Sequence, residues 1–275
     1  ADTVSLDATL PTWLTALREQ ADEPPRVPRL PLWVGVVPVG SVEADFGTRM
    51  ASAVPHYFRA MPFNPRHPER VGWQIVGELT SSLAIVAKMM QAQGLTGTWR
   101  DEELSVRDQN GRKLGTVERA AVRPLGIPTR AVHLLGRHPD GRHWVQRRAL
   151  SKANDPGQWD TLMGGMVSAS DTLTQALARE TREEAGLALS EVHCLSAGGT
   201  VRIQRPATDG GGCGYVVEQI DWFSCVVPEG VTPVNQDGEV DEFRLMTQAE
   251  LLERMSRNEF TLEAALIIWQ VLHEG

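Results

Sequence analysis

Residues 165–187 read GMVSASDTLTQALARETREEAGL, and the reading of this stretch decides the fold. From Leu173 to Ala185 it reads as a helix with an unusual stripe. At about 100° per residue, Leu173, Ala176 and Leu177 share one face, and the next turn of that face carries Glu180, Glu183 and Glu184. A stripe that should continue into a core therefore turns into three carboxylates. Like charges three or four residues apart repel. At roughly 5–6 Å and an effective dielectric of about 20, each ionised pair costs roughly 3 kcal/mol. The helix C-terminus disfavours negative charge as well. Gly186 ends the helix as its left-handed cap.

Such a grouping calls for a cation. Hard oxygen ligands on one rigid face suit Mg²⁺ or Mn²⁺, which bind through a few carboxylates together with a substrate's phosphates. The alternative is a solvated acidic face whose glutamates pair with Arg179 and Arg182. The helix by itself leaves both open.

The wider pattern bears on that choice. Gly165, five residues, Asp171, seven residues, then Arg179-Glu180-Thr181-Arg182-Glu183-Glu184-Ala185-Gly186-Leu187 closely resembles the Nudix box, Gly-x5-Glu-x7-Arg-Glu-U-x-Glu-Glu-x-Gly-U with U aliphatic. Two positions depart: Asp171 replaces the first Glu of the box, and Thr181 an aliphatic residue. The resemblance implies a loop–helix–loop in an α/β/α sandwich that hydrolyses diphosphates linked to another group. It implies Glu180, Glu183, Glu184 and the Gly165 carbonyl as ligands of Mg²⁺ or Mn²⁺, and structural roles for Asp171, Arg179 and Gly186. Arg179 is expected to pair with Asp171 or Glu183 rather than with substrate.

Composition fits a soluble protein. The chain has 275 residues and a net charge of −8, which excludes a general nucleic-acid footprint. Its length allows one large domain or two ordinary ones. Cys194, Cys213 and Cys225 lack metal or CxxC spacing, so reduced thiols and a cytoplasmic location are expected. No apolar run reaches transmembrane length. The first residues lack a basic n-region and an apolar h-region, so no signal peptide is expected.

Residues 1–122 read as a small α+β domain without recognisable chemistry of its own. Its expected elements are a helix over 9–20, a strand over 34–39, a helix capped by Ser41, a weak strand over 56–60, a helix over 81–93 and a hairpin over 103–117 around Asn110-Gly111. Leu83, Ile85, Val86, Met89 and Met90 would pack one broad side of the 81–93 helix. Residues 123–275 are expected to form the domain that the Nudix resemblance implies, an α/β/α sandwich with a mixed sheet, so the chain as a whole is expected to be α/β (α+β). Here the pattern predicts a hairpin over 131–150, the box, strands over 192–203 and 216–227 around a glycine-rich loop at 208–214, a last strand after Asn235, and helices over 247–254 and 261–273.

Four residues are candidate substrate contacts. Arg147 and Arg148 point to opposite faces of their strand, and one of them can reach a phosphate. Lys152 can serve as a point charge, and Glu218 can contact substrate if it faces the box. For each, a solvated surface position is the plain alternative. The base that takes a proton from water is drawn from Glu180, Glu184, Glu239 and Glu242.

The segment Asn235-Gln-Asp-Gly-Glu-Val-Asp-Glu-Phe243, with Arg147-Arg148, Lys152, Pro156-Gly157, Asp160 and Gly164-Gly165, resembles a narrower Nudix branch related to thiamine pyrophosphokinase partner domains. That branch carries a further amino-terminal domain of comparable size. An Asn commonly follows the Asp before its glycine pair, and Thr161 stands there instead. The resemblance implies trimming of thiamine diphosphate, or its oxidised or damaged forms, to the monophosphate. A nucleotide-directed pyrophosphatase and a non-catalytic ligand-binding module are the alternatives. An isopentenyl diphosphate isomerase is disfavoured, because no Cys falls in that family's motif. The expected partner is a small-molecule diphosphate, without nucleic acid or membrane, and the first domain could complete the pocket or form a homodimer contact.

Overall fold

The computed structural model describes residues 10–207 and 210–274. Its amino-terminal part runs α1 (Thr12–Gln20), β1 (Arg29–Val34), β2 (Val37–Glu43), α2 (Ala44–Ala53), β3 (Phe58–Ala60), β4 (Trp73–Ile75), α3 (Leu79–Ala92), β5 (Glu103–Arg107) and β6 (Lys113–Glu118). Then follow β7 (Thr129–Arg137), β8 (His143–Arg148), β9 (Trp159–Asp160), β10 (Met163–Met166), α4 (Leu173–Ala185), β11 (His193–Ala207), β12 (Gly214–Val226), β13 (Val240–Met246), α5 (Gln248–Ser256) and α6 (Leu262–Glu274).

The amino-terminal strands form a sheet of order β2-β1-β4-β3, and β5-β6 stands apart as a hairpin. The Val-rich run expected as one strand is split by a turn. Gly35 adopts a φ of 58°, and β1 folds back antiparallel on β2. A positive φ is what glycine supplies most readily, and it outweighs the β-branched pattern around it. Ser41 does not cap a helix. It lies inside β2 and accepts from Arg29 Nε at 3.0 Å, while Glu43 precedes α2. In α3, Leu83, Val86 and Met90 are buried as expected, but Ile85 is exposed. The hairpin turns at Asn110-Gly111, with Gly111 at a φ of 80°. The expected start of the first helix at Thr9, and residues 208–209 of the glycine-rich loop, lie outside the described residues.

The second sheet has the order β11-β12-β7-β8-β13, with β10 added to β7 and β9 to β8. It is mixed: β12 runs parallel to β7, and β8 antiparallel to both β7 and β13. Period-two alternation sorts its side chains. Val132 and Leu134 face one way and pack with Ala176, Leu177 and Ala185 of α4. Ala131 and Leu135 face the other way and pack with Leu251 and Met255 of α5 and Leu262, Ile267 and Ile268 of α6. Helices thus cover both faces, as in the expected α/β/α sandwich.

α1 belongs physically to this second core. Leu14 and Leu17 sit among the α5 and α6 side chains, and Trp13 meets Trp269 edge-on with ring centroids 5.6 Å apart. The core of the first sheet gathers residues from Leu32 to Ile127.

Candidate active site

α4 presents the acidic stripe, and its ends are chemically fixed. Thr172 and Gln175 form a reciprocal capping box at its start, and Gly186, at a φ of 65°, closes it. Ahead of the helix, β10 pairs with β7, so that Gly165 lies opposite Val132. A Cβ built on Gly165 would meet Glu180 Cδ at 2.5 Å, so this backbone approaches the carboxyl as only glycine allows.

The three glutamates differ in setting. Glu184 is 8% exposed, and Gln146 Nε2 donates to its Oε1. Among the described residues it has no ion-pair partner. Burial pushes its carboxyl up to about 8; the Gln146 bond works against that, and the nearby Asp160 and Glu180 charges add to it. Glu180 is partly buried and also shifted upward by desolvation, although Arg179 Nη1 donates to it at 2.8 Å. The Glu183 side chain is 56% exposed and lies 3.5 Å from the same nitrogen. Arg179 also binds Asp171 Oδ2 through Nη2 at 2.6 Å and through Nε at 3.1 Å. The shorter Asp171 therefore meets the arginine without the extra methylene of Glu.

Thr181 fills the position where the box carries an aliphatic residue. It is fully buried, and its hydroxyl has no partner among the described residues. A lone buried hydroxyl costs about 1–3 kcal/mol. Thr181→Val should therefore raise the unfolding free energy in urea by about 1 kcal/mol.

The other candidates separate by sheet face. Arg148 shares a face with Gln146; its Nη2 donates to Asn154 O at 2.9 Å, and Nη1 lies 3.7 Å from Asp160. Lys152 and Glu239, both candidates, pair with each other at 3.1 Å. Arg147 points to the opposite face, donates to Gly157 O at 3.2 Å, and lines a cleft with Trp159, Arg244 and Arg254. Glu242 is held by Arg244 at 3.1 Å. Glu218 is largely buried, and its side-chain partners lie outside the box. It accepts from Arg123 at 3.0 Å and from Thr129 Oγ1 at 2.8 Å. Burial raises its carboxyl, but those partners outweigh burial and hold it below the usual range.

The sequence assigns no role to Gln146 or His133, and names Asp160 only as part of the branch pattern. His133 is buried, burial lowers its pKa although the Asp160 and Glu218 charges oppose this, and its Nδ1 lies 2.7 Å from Thr161 Oγ1. Its ring fills the space under Gly164, where a Cβ would meet it at 2.6 Å. The signal for Gln146 was strand alternation, which places a polar side chain beside Arg148 on the box face.

The donor set fits a hard divalent cation. Glu184 is a buried carboxyl whose polar partner is a neutral amide, and the Gly165 backbone lies against Glu180. Among the described residues no three His, Cys, Asp or Glu side chains already converge as a metal cage. Arg179 draws Glu180 and Glu183 to itself instead.

A glycine strand laid along the acidic stripe of a helix, inside a sandwich covered by helices on both faces, defines a Nudix-type fold. The NUDIX domain family model matches residues 127–266, and the chain belongs to that family. Nudix hydrolase 24, chloroplastic, of Arabidopsis thaliana is 27% identical over 198 residues, which make up 70% of this chain but 52% of the plant protein. The chain thus spans about half the length of that relative. An isopentenyl-diphosphate Delta-isomerase of Streptomyces avermitilis is 34% identical over 160 residues, 58% of this chain and 77% of the isomerase. Among solved structures, DR0079 of Deinococcus radiodurans shares the fold, with a TM-score of 0.50, 21% identity, and coverage of 62% of this chain and 98% of its own. Among the described residues no helix is long and apolar enough to cross a membrane.

Proposed function

We propose that the protein is a pyrophosphohydrolase of small-molecule diphosphates, cleaving a phosphoanhydride with a divalent ion. The observation that carries this reading is Glu184, a deeply buried carboxyl without a cationic partner among the described residues, on a helix that keeps all three glutamates of the box. Glu180, Glu183, Glu184 and the Gly165 carbonyl would hold Mg²⁺ or Mn²⁺, which supplies charge neutralisation and a more acidic water. Arg148 and Lys152 bind and orient the diphosphate through charge-assisted contacts. Glu184 and Glu239 are the foremost candidates to hold the proton taken from water, Glu184 because burial raises its basicity and Glu239 because it sits at Lys152.

The preferred substrate is thiamine diphosphate or its oxidised or damaged forms, converted to the monophosphate and orthophosphate. Support comes from the branch resemblance and from an amino-terminal half of comparable size. A nucleoside diphosphate derivative is the alternative, and a non-catalytic ligand-binding module the one outside enzymes. Similarity to isopentenyl-diphosphate isomerases raises a further reading. Against it, Cys225 is buried in the apolar cluster under α4, Cys194 is exposed, and Cys213 donates to Gly210 O, so no cysteine is bonded to a box carboxylate.

A substrate panel tests the reading. Orthophosphate release from thiamine diphosphates should exceed that from nucleotide derivatives, and Glu183→Gln should abolish it with the fold intact. Preference for nucleotide derivatives overturns the thiamine assignment. Conversion of isopentenyl diphosphate without phosphate release overturns the hydrolase reading, and full turnover by Glu183→Gln overturns the assignment of Glu183 as a metal ligand.

A further inference from the structure

The amino-terminal half reaches into the box loop. Ala169 N donates to Glu103 O at 2.8 Å, and Lys113 Nζ donates to Ala169 O at 3.1 Å, so both strands of the β5–β6 hairpin grip one residue between Gly165 and Asp171. Next to it, Ser168 Oγ donates to Glu102 Oε1 at 2.8 Å. The same hydroxyl accepts from Arg179 Nη2 at 3.4 Å. Arg179 in turn holds Glu180 and Asp171. A chain of polar contacts therefore runs from Glu102 through Ser168 and Arg179 to a box carboxylate.

Glu102 is itself fixed by the amino-terminal core. Its N–H donates to Glu118 Oε2 at 3.2 Å, its carbonyl accepts from Arg119 N at 2.8 Å, and its Oε2 accepts from Arg119 Nη1 at 2.9 Å. Glu118 is buried, and the hairpin is seated on α3, where Thr116 N donates to Thr80 Oγ1 at 3.1 Å. Leu104, Val106 and Val117 anchor it in the first core. The contact is thus rigid at its base and ends on the loop that follows β10, where Val167 N also donates to Arg130 O at 2.9 Å.

We infer that the amino-terminal half positions the box: Glu102 and Ser168 are positioning residues that set Arg179, and through it Glu180, for cation binding. This rests on the divalent-ion reading above. Partners behind a ligand typically change metal affinity by about 10–100-fold when removed.

Mn²⁺ titration followed by electron paramagnetic resonance tests this, together with amide exchange of residues 168–171 in the metal-free full-length protein. Glu102→Ala and Ser168→Ala should each weaken Mn²⁺ binding by about 10-fold and speed that exchange, while circular dichroism stays unchanged. Ser168→Thr keeps the hydroxyl and should bind Mn²⁺ as the wild type does. Folded Glu102→Ala and Ser168→Ala proteins that bind Mn²⁺ like the wild type overturn the inference and leave the hydrolase reading standing. A wild type that binds no Mn²⁺ overturns the divalent-ion reading, and the inference falls with it.

Discussion

Glu184→Gln is expected to make the metal-free protein more stable at pH 8.5 while cutting turnover by about 10²–10⁴-fold. The stability gain follows from burial. A carboxyl pushed up to about 8 in the folded chain, against an ordinary value of 4.5, binds its proton more tightly folded than unfolded. The folded state therefore holds more protons between those values, and stability falls as pH rises through that window. The fall is complete above the folded value and is on the order of 5 kcal/mol. A neutral amide of the same shape removes the penalty and keeps an oxygen to accept from Gln146. Urea unfolding in chelator at pH 6 and pH 8.5 reads the effect directly: the wild type should lose stability between the two, and Glu184→Gln should lose much less. Mg²⁺ should stabilise the wild type more at pH 8.5 than at pH 6, because the ionised carboxylate is the ligand. A variant that loses stability with pH as steeply as the wild type would remove Glu184 as the source of the slope.

Gly165→Ala should lower turnover by about 10²-fold without unfolding the protein. Gly165 is not among the residues at positive φ, so the effect is steric rather than a matter of backbone strain. The added methyl would lie 2.5 Å from Glu180 Cδ and 2.6 Å from its Cγ, inside contact distance. The side chain must move, and it is held by Arg179 at 2.8 Å, so the carboxylate leaves its place. Displacement of a reacting group by about 1 Å is enough for a loss of this size. Unaltered circular dichroism with lost phosphate release is the expected pair of measurements. Wild-type turnover in Gly165→Ala would mean that the close approach of strand and helix is not needed for the chemistry.

The α4 limits were legible because each carries its own local chemistry, apolar periodicity within and Gly186 at the end. The same holds for the Asn110-Gly111 turn, where a dipeptide dictates the backbone. The first hairpin was not legible, since Gly35 sits within a Val-rich run whose strand propensity reads straight through it. The acidic stripe could be named from spacing, but its gradient could not. Glu184 is buried and Glu183 exposed because of how α4 is rolled against β7 and β10, which periodicity does not specify. Arg147 and Arg148 were expected to diverge, yet which of them shared a face with Gln146 depended on the strand's facing. Glu218 was beyond reach, as its partner Arg123 lies 95 positions away in sequence. The Glu102–Ser168 bond spans 66 positions and joins a glutamate to a serine without any pattern.

The first helix carries a topological consequence. By crossing back to lie on α5 and α6, α1 turns the order of the chain into a loop: its opening turns fill a gap in the hydrophobic interior built by its closing ones. The two sheets are consequently not beads on a string. Deletion of a front portion that includes α1 would therefore leave Trp269 and its neighbours in the second core bare.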